Sequence, residues 1–229
     1  MARAFAWLGG AAFVAALAYT AYFYLSVLGR PADSNQSRLV AALLDAGLFG
    51  LFATHHSLMA RSRAKRLLTR YIAPELERTI YVWTASALLV LTCALWKPIP
   101  GTIYRQQDAI RALHYFVQAG GFWLIFAGTR VINPLELSGI DQARGRIENA
   151  TFKIVGPYRW VRHPIYLGWI LMVFGTPDMT ANRLAFAVIS SAYLVIAIPW
   201  EERSLVEAFG DRYLQYRACV RWRVLPLVY

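Results

Sequence analysis

Apolar residues run in blocks along this chain, with no sustained alternation. Four blocks are long enough, or nearly so, to cross a bilayer at ~20 residues per crossing: Ala4–Leu28, Leu39–Leu58, Thr79–Trp96 and Ala112–Ile132. A fifth, Ile165–Trp200, is interrupted at Thr176-Pro177-Asp178-Met179-Thr180, which predicts a hairpin of two helices, the first short. Beyond it, Leu205, Phe209, Tyr213, Tyr216 and Val220 recur at helical spacing. That stripe predicts an amphipathic helix over Glu201–Val220 on the cytoplasmic face. The expected fold is all-α: a polytopic membrane helix bundle of about four full spans, with a C-terminal helical hairpin and a cytoplasmic amphipathic helix.

Single residues refine this outline. The first block is longer than a signal peptide's apolar core and only Arg3 precedes it, so it reads as a mature helix. Asp45 lies inside the second block, where an ionisable group faces protein rather than lipid; a bond to a neighbouring helix is the expectation. His55 and His56 point ~100° apart on a helix, so one can face the bundle and the other the lipid boundary. Pro74 opens the third helix, with Glu77, Arg78 and Tyr81 on one face. Trp96-Lys97 reads as an interface anchor. The fourth helix carries His114, Gln118 and Gly120-Gly121, small residues that admit a close helix contact, and stops at Asn133-Pro134. The polar segment Leu135–Lys153 is placed in the cytoplasm.

Composition narrows the class. Hydrophobic residues make up 58% of the 229, too many for an ordinary soluble domain. The net charge of +11 falls mostly on alternate loops, on the side of Arg3, and the positive-inside rule accounts for it without a nucleic-acid partner. The two cysteines, Cys93 and Cys219, are not expected to pair, and no metal-ligand spacing is present, so no metal is expected.

The densest chemistry lies in Gly156-Pro157-Tyr158-Arg159-Trp160-Val161-Arg162-His163-Pro164-Ile165-Tyr166-Leu167-Gly168. Pro164 keeps His163 out of the α region and opens the next helix. The Arg162-His163 pair is thereby set at a helix start, where free backbone N–H groups welcome anions. Glu201-Glu202 follows at the end of the next apolar run. A basic and an acidic pair brought together by a hairpin suit the two ends of a zwitterionic ligand.

These motifs carry a resemblance. Gly156-Pro157-Tyr158-Arg159, Arg162-His163-Pro164, Tyr166 and Gly168, then Glu201-Glu202 with Leu205, then Phe209-Gly210 with Tyr213 and Tyr216, resemble the C-terminal half of the integral-membrane methyltransferases typified by isoprenylcysteine carboxyl methyltransferase. His56-Ser57 with Met59-Ala60, and Glu77-Arg78 with Tyr81, are similar to the NnrU-like branch. Thr176-Pro177 with Met179-Thr180, and Ala192-Tyr193 before Glu201-Glu202, are similar to the bacterial methanethiol S-methyltransferases. The resemblance runs from about Leu48 to Pro226. The stretch Asn133–Gln142, with Ser138 and Asp141, departs from the family pattern, and the tail Val220–Pro226 is more basic than expected.

The resemblance implies one membrane domain over residues 1–229, with a four-helix transmembrane half (1–132) and a cofactor-binding half (133–229). It implies S-adenosylmethionine as cofactor, leaving as S-adenosylhomocysteine, held by Gly156, Tyr158, Arg162, His163, Pro164, Tyr166, Gly168, Glu201 and Glu202. Arg162 and His163 would meet its carboxylate, one of the glutamates its amine, and Tyr158 and Tyr166 its purine or ribose. The leading substrate is a small volatile thiol, methanethiol, methylated to dimethyl sulfide at the bacterial inner membrane, with the cofactor site facing the cytoplasm. His56 is the candidate base, and Arg78 and Tyr81 the groups that steady the developing thiolate. The alternatives are a lipophilic acceptor, such as a prenylcysteine carboxylate or a phospholipid amine, and a non-catalytic NnrU-like membrane protein. Apart from membrane lipid no further partner is implied, and the sequence does not give the oligomeric state.

Overall fold

The computed structural model describes residues 2–59, 61–132, 135, 138–144 and 152–229. The expected helix stop at Asn133-Pro134 lies outside them, as do Ala60 and most of the polar segment before Phe152. The described chain is essentially all-α. Its helices are α1 (Ala2–Tyr22), α2 (Arg38–Met59), α3 (Ser62–Leu68), α4 (Glu77–Ala94), α5 (Asp108–Val131), α6 (Ile140–Ala143), α7 (Pro164–Phe174), α8 (Ala181–Phe209) and α9 (Asp211–Cys219). Two short strands, β1 (Thr102–Arg105) and β2 (Asp178–Thr180), pair as a small sheet the apolar pattern gave no hint of. Among the described residues, three helical stretches are long and apolar enough to cross a membrane: Ala2–Val27, Arg38–Met59 and Ala181–Phe209. The protein is a membrane protein on that ground.

The chain clusters into two compact units that do not follow chain order. The first takes Met1–Gly101, Asn133–Glu148 and Thr180–Asn182; the second takes Thr102–Ile132, Asn149–Met179 and Arg183–Tyr229.

In the first unit α4 packs on α1 and α2. Asp45, fully buried in α2, accepts the backbone N–H of Lys97 just past the end of α4 at 2.7 Å, so the intramembrane carboxylate ties two helices as expected. Trp96 corrects the interface-anchor reading. Its ring is buried and meets Phe23 edge-on at 6.1 Å, so the indole is core here. Trp-Lys is a common interface pattern, but a large aromatic at a helix end serves a core equally well.

In the second unit α5 and α7 cross at two glycines. A Cβ on Gly121 would stand 2.6 Å from the Gly168 carbonyl oxygen, and a Cβ on Gly168 would stand 2.6 Å from that of Gly121. Gln118 closes the contact by donating to the Met172 carbonyl at 2.9 Å. Helix α8 does not end at Trp200. It runs through Glu201-Glu202 to Phe209 despite Pro199, and the chain turns at Gly210, whose φ of +55° a side chain would strain. The predicted amphipathic helix is therefore split between the end of α8 and α9.

Candidate active site

Pro164 opens α7, and His163 before it lies outside the helical region, with φ −123° and ψ 65°. The backbone amides here are not free, which corrects the expectation. Arg162 N–H donates to the Trp222 carbonyl at 2.9 Å, and His163 N–H to that of Arg223 at 2.8 Å. The tail after α9 runs alongside and takes up these donors. Arg162 Nη1 also donates to the carbonyls of Val220 and Arg221 at 2.8 and 2.7 Å. The unusually basic tail is thus part of the site's frame.

The charge pairs meet directly. Arg162 Nε donates to Glu202 Oε1 at 2.6 Å, with both side chains almost wholly buried. Arg223 and Arg217 approach the other Glu202 oxygen at 3.6 and 3.8 Å, and His163 Nε2 lies 3.5 Å from Oε1. One carboxylate is therefore ringed by three guanidiniums, a net cationic cluster. Glu201 differs. Its side chain is 42% exposed, accepts the Tyr166 hydroxyl at 2.6 Å and lies 3.6 Å from His163 Nδ1. His163 and Tyr166 stack at 5.2 Å.

Aromatic side chains surround these charges. Phe152 packs against Phe209, Tyr213 and Tyr216, and the Tyr216 hydroxyl donates to the Tyr158 carbonyl at 2.7 Å. Burial, then the Glu201 charge, pushes the Tyr158 phenol up to about 12, so it stays neutral at any physiological pH. A 480 Å³ cleft opens beside the cluster, lined by Glu202, Arg203, Glu207, Arg217 and Arg223 among others. Sequence reasoning did not single out Arg217 or Arg223. Their spacing from Glu202 gives no local signal, and the surplus of arginine in the tail was the one hint.

Of the other expected cofactor residues, Gly156 turns the chain at φ +57° and Gly168 serves the α5–α7 crossing. Both positions have a structural reason to be glycine.

In the first unit, His56, Arg78 and Tyr81 are brought together. The Tyr81 hydroxyl lies 2.7 Å from His56 Nδ1, and the Arg78 guanidinium sits over the Tyr81 ring at 5.4 Å. His55 does not turn away. It stacks on the same ring at 5.9 Å, so a large aromatic holds both imidazoles where the 100° offset had separated them. The start of α4 is held by α6 and its flank. Gln142 accepts the Arg78 N–H at 3.2 Å and donates to the Pro74 carbonyl at 2.8 Å. Gly139, at φ +78°, lies so close that a Cβ would stand 2.9 Å from the Thr79 nitrogen. Among the described residues, no three metal-ligating side chains gather.

Comparison with known proteins bears on what such a site does. The model of the isoprenylcysteine carboxyl methyltransferase family matches residues 146–207. Methanethiol S-methyltransferase 1 of Bradyrhizobium diazoefficiens is 38% identical over 190 residues, covering 80% of this chain and 67% of that protein. The chain belongs to the methanethiol S-methyltransferase family. Methanethiol S-methyltransferase of Crocosphaera subtropica is 37% identical over 80% of this chain and 74% of its own length. Nurim of Sus scrofa is more distant, 28% identical over 75% of this chain. No solved structure matches. The protein is thus a membrane methyltransferase, and the family match spans α7 and most of α8, the methyltransferase's densest cluster of charge.

Proposed function

We propose that this methyltransferase transfers the methyl group of S-adenosylmethionine to methanethiol, releasing dimethyl sulfide and S-adenosylhomocysteine. It works in the bacterial inner membrane with its cofactor side toward the cytoplasm, the side on which the positive-inside rule puts most basic residues. The single observation that carries the reading is the unequal partnering of the two glutamates. Glu202 accepts from Arg162 and has two further guanidiniums within 4 Å, so the cluster around it is net cationic and suits a carboxylate. Glu201 is half-exposed and suits an ammonium. Opposite charges beside a cleft in the usual size range for ligands fit a zwitterionic ligand.

On this reading Arg217 and Arg223 hold the amino-acid carboxylate, Glu201 its ammonium, and Tyr158 and Tyr166 the ribose or purine. Glu202 braces Arg162 and leaves the ligand alone. Gly156, His163, Pro164 and Gly168 shape the backbone around it. When bound, the cofactor supplies a sulfonium-activated methyl group. His56 would take the thiol's S–H proton, through the Tyr81 hydroxyl where that group donates to Nδ1, which would leave the thiolate as the methyl acceptor. Arg78 steadies the thiolate.

The test supplies the purified protein with methyl-labelled S-adenosylmethionine and either methanethiol or a prenylcysteine. Labelled dimethyl sulfide in the headspace supports the proposal. Label in a prenylcysteine ester assigns the lipophilic acceptor, and no cofactor binding at all assigns a non-catalytic protein.

A further inference from the structure

A second feature of the α5–α7 unit is not used by the chemistry above. Between the last turn of α5 and the turn Gly156–Arg159 lies an open groove of 600 Å³. Its wall is aromatic. Trp123 and Trp160 stack at 6.1 Å, 30° from parallel, and Phe126 lies beside them. All three are more than half exposed. Two guanidiniums line the same groove. Arg130 lies over the Phe126 ring at 5.6 Å, and Arg159 comes from the opposite wall. No carboxylate lines it among the described residues.

We infer that this groove binds one anionic glycerophospholipid, its phosphodiester held between Arg130 and Arg159 and an acyl chain laid along Trp123, Phe126 and Trp160. The chemistry follows from the lining. Guanidinium matches phosphate with paired donors. Indole is the side chain that settles at the level of lipid headgroups. Basic pockets beside membrane helices recognise anionic headgroups, and an apolar wall continuous with the cationic rim selects a lipid over a soluble phosphate. Arg130 lies in the last turn of α5 and Arg159 in the turn Gly156–Arg159, so an occupied site also fixes the turn that holds Tyr158 and leads to Arg162.

The test is native mass spectrometry of the full-length protein in detergent with equimolar phosphatidylglycerol and phosphatidylcholine. The expected result is one tightly retained phosphatidylglycerol, favoured about tenfold or more as judged from the size of such charge contacts. Arg130→Gln/Arg159→Gln abolishes the preference, whereas Arg66→Gln/Arg70→Gln, on exposed basic positions elsewhere, keeps it. Trp123→Ala/Trp160→Ala weakens retention of both lipids. The inference is overturned if the wild type shows no preference, if the first double variant keeps it, or if inorganic phosphate displaces the bound lipid as well as phosphatidylglycerol does.

Discussion

Arg162 and Glu202 form a buried ion pair at 2.6 Å, with side-chain exposures of 6% and 4%. The same arginine also holds the C-terminal tail through the carbonyls of Val220 and Arg221. The pair therefore ties three separate segments: the turn before α7, the last turns of α8 and the tail.

Removing one partner strands the other charge. Glu202→Gln is expected to destabilise the protein by roughly 3–5 kcal/mol, since a lone buried charge is far costlier than the pair is favourable. Thermal unfolding in detergent measures it. An unchanged melting temperature would remove Glu202 from the frame.

Glu201→Gln should behave in the opposite way. Its carboxylate is half-exposed, so stability is expected to hold. Cofactor affinity should fall about tenfold or more, the worth of one hydrogen bond to a charged group. Calorimetric titration with S-adenosylhomocysteine reads it directly. Equal affinity would return the ammonium to another carboxylate.

The helix crossing is equally specific. Gly168→Ala places a methyl against the Gly121 carbonyl, where rigid backbone cannot yield. We expect a loss of about 1–3 kcal/mol or more, and a similar loss for Gly121→Ala. Unfolding at the wild-type temperature would show that the crossing is looser than described.

Tyr158 gives a pH signature. An unfolded tyrosine titrates near 10, and the folded phenol is pushed up to about 12 by burial and then by the Glu201 charge. The folded state holds its proton longer, so this stability is complete below pH ~10 and is lost as pH rises toward about 12. Tyr158→Phe should flatten that alkaline fall, as followed by melting temperature against pH. An identical slope in the variant would contradict it.

His56→Ala should abolish turnover and leave S-adenosylhomocysteine binding intact, because the imidazole's partner is Tyr81 and its proposed work is on the thiol. Kinetics paired with the same calorimetry separates the two. Near-normal turnover would take His56 out of the mechanism.

The sequence made the long apolar helices legible because each has a local signal, whereas the short α3 and α6 lie in stretches read as polar. Apolar blocks mark where the long helices lie, Pro164 marks the start of α7, and Gly210 ends α8 nine residues beyond its apolar block. The meeting of Arg162-His163 with Glu201-Glu202 was also legible, because an apolar hairpin pattern returns the chain. Three things were hidden. The tail's capture of the Arg162 and His163 amides is backbone pairing across sixty residues and leaves no side-chain pattern. The burial of Trp96 and the inward turn of His55 depend on partners, Phe23 and Tyr81, that periodicity cannot name. Gln142 and Gly139 act through two hydrogen bonds and one close approach to the start of α4, in a stretch marked only by its departure from the family pattern.

The most direct measurement is the headspace above purified protein given S-adenosylmethionine labelled in its methyl group and methanethiol. The account predicts labelled dimethyl sulfide in step with S-adenosylhomocysteine, one for one, and its loss in His56→Ala. Cofactor bound and unconsumed in the presence of methanethiol, or label delivered to a prenylcysteine in its place, would contradict it.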